Sequence, residues 1–362
     1  MEVRSTRTSV AVASRFEHWH MQTLRLYAND AGSIEQAARI IRAGWLVACP
    51  TETVYGLGAN ALNREAVQKI FAAKERPLWD PLIVHVSSRE MLESLTMQLP
   101  AQFEYLFSTF MPGPLTLVVS KRATVPDVVT AGRNTVAVRF PAHPVAQRLI
   151  AASGLPIAAP SANRFQHVSP TTAEHVLADL DGRIEAVLDG GSCPVGVEST
   201  VLDLTVAVPR ILRHGAITAE QLKQVLGDVV VIDPVSRPQE GLQSPGMMSR
   251  HYAPQTKIVL SQGREAELVE VLHKLSQQKV GVLLPSGWNI RAAATFDWGR
   301  WGDWATLASR LYAGLRWLDD QMLDVMVAPL PPQEALGATI RERLLKASGR
   351  EFLLGRMDFD RE

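Results

Sequence analysis

The chain is poor in cysteine, has no excess of either charge and contains no long apolar run. Only Cys49 and Cys193 occur in its 362 residues. Two thiols so far apart exclude a disulfide framework and a paired-cysteine zinc site, and they suit a reducing cytoplasm. Thirty-seven Lys and Arg balance thirty-seven Asp and Glu, so no global field drives non-specific nucleic-acid binding, and any RNA contact must be local. No stretch reaches the roughly eighteen consecutive apolar residues that a membrane helix needs. The first loop to follow an apolar run, PTETVYGLGANA at 50–61, also lacks the lysine and glycine spacing of a phosphate-binding loop.

What is present is 46% hydrophobic residues, enough for a sizeable core, in a length that predicts two domains. Residues 1–20 are Arg- and Ser-containing but have no apolar segment of signal type. They read as a flexible extension or a mis-called start, with His18 and His20 in a solvated tail.

From there helix and strand signals alternate. Ser33 to Gln36 has the spacing of a capping box, Ile34, Ala37, Ala38 and Ile41 share a helical face, and Gly44 stops the helix. The apolar run Trp45 to Cys49 predicts a buried strand ended by Pro50, so the PTETVYG loop sits at a strand's C-terminal end. Val67, Ile70 and Phe71 form one face of a second helix, which Pro77 stops after Lys74-Glu-Arg76. Two cations at a helix end can be dipole compensation. Period 2 places His85 on the Ile83 face of the strand PLIVHV, and places Arg139 with Thr135 and Ala137 opposite Val136 and Val138. A guanidinium on an apolar strand needs an anionic partner, either a ligand carboxylate or an internal carboxylate. Polar tips at PSAN (160–163), GVEST (196–200) and Arg213 suggest strand ends that gather in one site.

Thr218 to Gln221 is another capping box, and its helix runs to Gly227. Residues 233–253 are rich in Pro, Ser, Gly and Gln and read as an interdomain linker. Beyond them the expected order is strand (257–260), helix (265–275), strand (280–284), helix, strand (325–330) and a last helix, a small α/β domain with a parallel sheet. Trp298, Trp301 and Trp304, read near a helix start, suit interdomain packing better than base stacking.

In this order PTETVYGLGA, KxRP with PLIVHV, PGPLT at 112–116, TVAVR-P-HP, PSAN, GVEST and the Arg213 strand resemble the YrdC-like domain of threonylcarbamoyl-AMP synthases. SPGM at 244–247 with RHYAP at 250–254, and LGATIRERLLKA at 336–347, resemble the linker and smaller domain of the two-domain form. The resemblance implies an α/β fold: an α+β twisted-sheet YrdC-like domain with a second, smaller Rossmann-like α/β domain. The implied division is an extension (1–23), the catalytic domain (24–220), a linker (221–255) and the small domain (256–362).

The implied reaction turns L-threonine, bicarbonate and ATP into L-threonylcarbamoyl-AMP and pyrophosphate, for a tRNA threonylcarbamoyl transferase to use, with a local tRNA contact as a further implied partner. Carried over position by position, the pattern puts Thr53, His85, Arg139, the backbone of Ala159, and Ser199 around threonine. It puts Lys74, Arg76, Asp80, Thr135, Ser161, Asn163, Ser169 and Arg213 around ATP, with Lys74 and Arg76 as the catalytic cations. Mg²⁺ is implied with the triphosphate. The family's linker often has a tyrosine two residues before its histidine, where this chain has Ser249; Tyr252 holds a different place. A non-catalytic RNA-binding or ribosome-maturation module is the other reading of such a fold.

Overall fold

The structure is a computed structural model that describes residues 22–232 and 252–349. Residues 1–21, most of the expected linker and Ser249 lie outside the described residues.

The first unit runs β1 (Leu24–Tyr27), α1 (Ser33–Arg42), β2 (Val47–Pro50), β3 (Tyr55–Asn60), α2 (Arg64–Lys74), β4 (Ile83–His85), α3 (Arg89–Leu95), α4 (Gln102–Phe110) and β5 (Leu115–Ser120). It continues α5 (Asp127–Thr130), β6 (Thr135–Arg139), α6 (Pro144–Ser153), β7 (Ile157–Ala158), α7 (Ala173–Leu180), β8 (Ala186–Asp189), β9 (Thr200–Asp203), β10 (Arg210–Arg213), α8 (Ala219–Leu226) and β11 (Val230–Val231). Its strands form one mixed sheet in the order β1-β8-β2-β3-β7-β4-β6-β5-β9-β10-β11. Apolar faces of α2, α4, α7 and α8 bury one side, around Ile70, Phe103, Val176 and Leu222, while α1 and α6 bury the other with Ile41 and Leu149.

Local chemistry explains most boundaries. Asn63 accepts from the N–H groups of Glu65 and Ala66 to start α2, and Glu75, at φ 57°, ends it. The Thr218 capping box forms as expected. The one at Ser33 does not: Gly32, at φ 83°, holds the cap position and Ser33 is already inside the helix. Helix α8 and strand β11, expected to belong to the linker, extend the first unit, because Leu222 is fully buried in its core and β11 pairs with β10.

The second unit comprises β12 (Lys257–Ser261), α9 (Glu265–Lys274), β13 (Val280–Ser286), β14 (Ala294–Arg300), α10 (Trp304–Asp319), β15 (Val325–Pro329) and α11 (Ala335–Ala347). Its four strands are parallel, in the order β12-β15-β13-β14. Strand β14 was not anticipated, and it moves Trp298 off the helix start into the sheet, where its Nε1 donates to Leu307 O at 2.8 Å. Helix α9 covers one face of this sheet. The other face, with α10 and α11, shares a core with Val54, Val168 and Val197 of the first unit.

Candidate active site

The sheet's connectivity brings the quoted motifs to one place. His85 ends β4 and Arg139 ends the parallel β6, and the two residues are register partners; Thr116 of β5 is next in the row. Thr116 Oγ1 lies 2.8 Å from Ser199 Oγ, which extends the row to the start of β9. The PTETV loop precedes β3 and the PSAN loop follows β7, joined by a bridge between Gly56 and Ser161. A cleft with room for only about 50 Å³ of water-sized volume opens between these tips, lined by Thr51, Thr53, Val54, Gly56, Arg76, Ile83, His85, Arg139, Ala159, Pro160, Ser161, Glu198, Ser199, Arg213 and Tyr252.

Gly56 lines this cleft, and a Cβ there would come 3.2 Å from Ala159 Cβ. Gly58 serves the strand packing instead: a Cβ would lie 2.8 Å from Ile157 Cγ2 and 3.1 Å from Val47 O.

One end of the cleft centres on Arg139 and Thr53. Arg139 Nη1 donates to Thr53 Oγ1 at 2.9 Å, and Thr53 Oγ1 is 2.8 Å from Thr51 Oγ1. Arg139 also has an internal anion, Glu52, whose Oε1 lies 2.8 Å from Nη2 without hydrogen-bond alignment. Burial raises the Glu52 pKa, but the Arg139 charge outweighs it and holds Glu52 below its usual value. The internal-pair reading of Arg139 is therefore realised, while the guanidinium still lines the cleft. Burial first, and then Arg139, push His85 down to about 3, so its ring is neutral near pH 7. Its Nδ1 has no protein partner. Ala159 lines the same end, and its N–H is used by Ile83 O.

The other end gathers guanidinium groups. Arg213 donates from Nε and Nη2 to Ser199 O at 3.1 and 2.9 Å, and from Nη2 to Ser199 Oγ at 3.1 Å. Arg76 donates to Pro81 O at 3.0 Å and has Asp80 Oδ2 at 2.8 Å; burial still raises the Asp80 pKa. Lys74, Arg76, Arg139 and Arg213 are only 1–7% exposed.

Several expected ATP residues do not line the cleft. Lys74 Nζ donates to the carbonyls of Ser161, at 2.5 Å, and Asn163, so it braces the PSAN loop from behind; burial and Arg76 lower its pKa well below the usual value. Asn163 donates to Arg164 O and His167 O, and Ser169 Oγ donates to Glu198 at 2.8 Å. Thr135 starts β6, four residues from the cleft end of that strand. Three further polar side chains, those of Thr51, Glu198 and Tyr252, line the cleft without having been assigned a role. Thr51 and Glu198 sat inside quoted motifs. Tyr252 is 1% exposed and stacks on Tyr312 of α10 at 5.7 Å, so its place depends on the second unit.

Comparison with known proteins gives concordant matches. A family model described as "Telomere recombination" matches residues 39–215, and one described as "Threonylcarbamoyl-AMP synthase, C-terminal domain" matches residues 217–349. The threonylcarbamoyl-AMP synthase of Pyrococcus abyssi is 42% identical over 347 residues, covering 94% of this chain and 97% of that protein. The Bacillus subtilis threonylcarbamoyl-AMP synthase is 42% identical over 338 residues, 92% and 98% of the two chains. A crystal structure of P. abyssi Sua5 complexed with L-threonine superposes with a TM-score of 0.86 at 42% identity, covering 91% of this chain and 98% of that one.

Proposed function

The chain belongs to the threonylcarbamoyl-AMP synthase family, and from that premise we propose how its cleft divides between L-threonine and ATP. The reaction is a nucleotidyl transfer in the service of tRNA modification. Threonine's neutral amine takes up bicarbonate as a carbamate with loss of water. A carbamate oxygen then attacks the α-phosphorus, forming the P–O bond of L-threonylcarbamoyl-AMP as the bond to pyrophosphate breaks.

The observation that carries this reading is the gathering, in one cleft, of Arg139 beside Thr53 and His85 with two further guanidinium groups, Arg76 and Arg213; Ser199 touches Arg213 on one side and, on the other, Thr116, the register neighbour of Arg139. Arg139 receives the threonine carboxylate as a bidentate anion. Neutral His85 offers Nδ1 to the amino acid without adding a second cation that would oppose the ammonium before it loses its proton. Arg76 and Arg213 take the triphosphate, Ser161 lies on the nucleotide side, and Lys74, Asp80, Asn163 and Ser169 hold the walls of that subsite. Thr135 and Ser249 complete the assignment from the family pattern. Catalysis then rests on positioning and charge neutralisation, since no strong nucleophile is required of the protein.

The donor set does not suit a protein-held metal. Among the described residues no three His, Cys, Asp or Glu groups converge, and Glu198, the one carboxylate lining the cleft, already accepts from three donors, Ser169, Tyr312 and Arg343. Mg²⁺ therefore belongs to the substrate, as Mg·ATP. This reading carries with it a cytoplasmic location and a tRNA threonylcarbamoyl transferase as the consumer of the product; separately, no helix among the described residues is long and apolar enough to cross a membrane. The RNA-module reading finds no support in the cleft cations, which are buried and engaged with carbonyls and carboxylates instead of forming an exposed basic stripe.

The test is pyrophosphate release with Mg·ATP and bicarbonate, with and without L-threonine, together with mass spectrometry of the product. Release that depends on both threonine and bicarbonate, with the threonylcarbamoyl-AMP mass, is expected. Release that ignores threonine would overturn the assignment.

A further inference from the structure

Glu198 lies in the cleft wall yet has no part in the chemistry just described. Its Oε1 accepts from Ser169 Oγ at 2.8 Å and Tyr312 Oη at 2.9 Å, and its Oε2 accepts from Tyr312 Oη at 2.9 Å and Arg343 Nε at 2.7 Å. Tyr312 and Arg343 belong to α10 and α11 of the second unit. Arg343 is fully buried, lies 5.0 Å from the Tyr252 ring, and donates from Nη2 to His214 O at 2.7 Å, next in sequence to Arg213. The carboxylate thus sits between Ser169 and the Arg213–Ser199 contact, on the side of the cleft read as the triphosphate subsite.

Without its partner, a buried carboxylate there would oppose a polyanion across a gap of low dielectric. Arg343 is shared with Glu342, 3.2 Å away, which Lys346 also pairs, so the four groups together carry no net charge, and Arg76 and Arg213 act on the phosphates unopposed. We propose that the second domain governs ATP binding by neutralising Glu198, with Arg343 as the positioning residue and Tyr312 as its support. The inference rests on the ATP reading of the cleft. It also gives Glu198 a purpose. A neutral residue at that position would let the first domain bind ATP whether or not Tyr312 and Arg343 were in place. The carboxylate makes nucleotide binding and domain docking a single event, which protects a hydrolysable adenylate from being formed in an open site.

The experiment is a charge-removal double-mutant cycle on the full chain. ATP affinity is measured by calorimetry with Mg²⁺, and KM and kcat are measured for both substrates, in Arg343→Met, Glu198→Gln and the double variant. Arg343→Met is expected to weaken ATP binding at least about tenfold and to hold the threonine KM within about twofold; the double variant recovers ATP affinity to within about threefold of wild type. A double variant as weak as Arg343→Met, or a parallel loss for both substrates, would overturn the proposal, because lost packing is not rescued by removing a charge. If Arg343→Met does not fold, Tyr312→Phe with and without Glu198→Gln closes the same cycle: a loss of about threefold should vanish in the Gln background, and its persistence sinks the idea. A wild-type chain that binds no ATP would refute the reading of the cleft itself, whereas wild-type binding without rescue refutes only the role of Glu198.

Discussion

The two ends of the cleft are built differently. The polar groups of the end read as the amino-acid subsite all come from the first domain: Arg139, Thr53, Thr51, Glu52 and His85 lie on neighbouring strands and one loop, although Val54 of that loop packs on the second domain. The nucleotide end draws on both domains, since Glu198 needs Arg343 and Tyr312, and Tyr252 stacks on Tyr312. A small rigid substrate can be met by a preorganised site, while a long flexible polyanion is met by a site whose charge balance is completed on domain docking.

The sharpest way to break this contrast is Arg139→Met, made with Glu52→Gln so that no buried carboxylate is stranded. Threonine-dependent kcat/KM should fall about a thousandfold, on the order of 4 kcal/mol, with ATP affinity retained. Equal loss of ATP binding in calorimetry would mean the two ends are one site. Arg76→Met, paired with Asp80→Asn, should do the reverse, raising the ATP KM about a hundredfold with little change in threonine affinity.

In a pH titration of stability His175, pushed down to about 4 by burial, contributes in the same window as His85, so the difference between wild type and a His85 variant isolates the His85 part. His85 has a folded pKa of about 3 against 6.5 for the unstructured side chain. Between these values the unfolded chain binds the extra proton, so this contribution is complete above about pH 6.5 and is lost as pH falls, by up to about 1.4 kcal/mol per pH unit. His85→Gln should flatten that slope in chemical denaturation; an unchanged slope would mean His85 is not the group responsible.

Gly196→Ala tests the docking. Gly196 has φ +73°, and a Cβ there would lie 2.4 Å from Ser309 Cα of α10. The variant should cost roughly 1–3 kcal/mol of stability and raise the ATP KM more than the threonine KM. If both rise equally, docking does not favour one end. The smallest effect concerns the substrate methyl group. Val54 and Ile83 line the cleft, so serine should be used about fivefold less well than threonine, on the order of 1 kcal/mol. Equal kcat/KM values would exclude a methyl pocket.

Much of this was legible in the sequence, for identifiable reasons. Period 2 placed Arg139 and His85 correctly on their strands, and Pro77 stopped α2 where Lys74 and Arg76 could turn inward. Sequence pattern could not tell that Lys74 braces the PSAN loop from behind, because the direction of a flexible four-carbon side chain is settled by the carbonyls it meets. Nor could it give the partner of Arg139, since Glu52 is 87 positions away and looked like one loop residue among several. Strand β14 was missed because Asp297 and Gly299 interrupt its apolar run, and tertiary packing of Trp298 overrides that local signal. Ser33 carried a capping-box spacing that Gly32 pre-empted by adopting the left-handed conformation. Tyr252 was visible but unassignable, because its role comes from residues 60 and more positions further on.

The core shared by Val54, Val168 and Val197 with Ile340 and Leu344 also sets the order in which the enzyme can come into being. Translation has delivered every cation of the cleft by Arg213, but the apolar surface under the PTETV loop is covered only when the final helix has left the ribosome. The first domain therefore leaves the ribosome with part of its apolar surface still waiting for partners. A polypeptide cut short before α11 would lack Ile340 and Leu344 from the shared core and Arg343 from Glu198, and should be less stable than the full chain and more open to proteolysis.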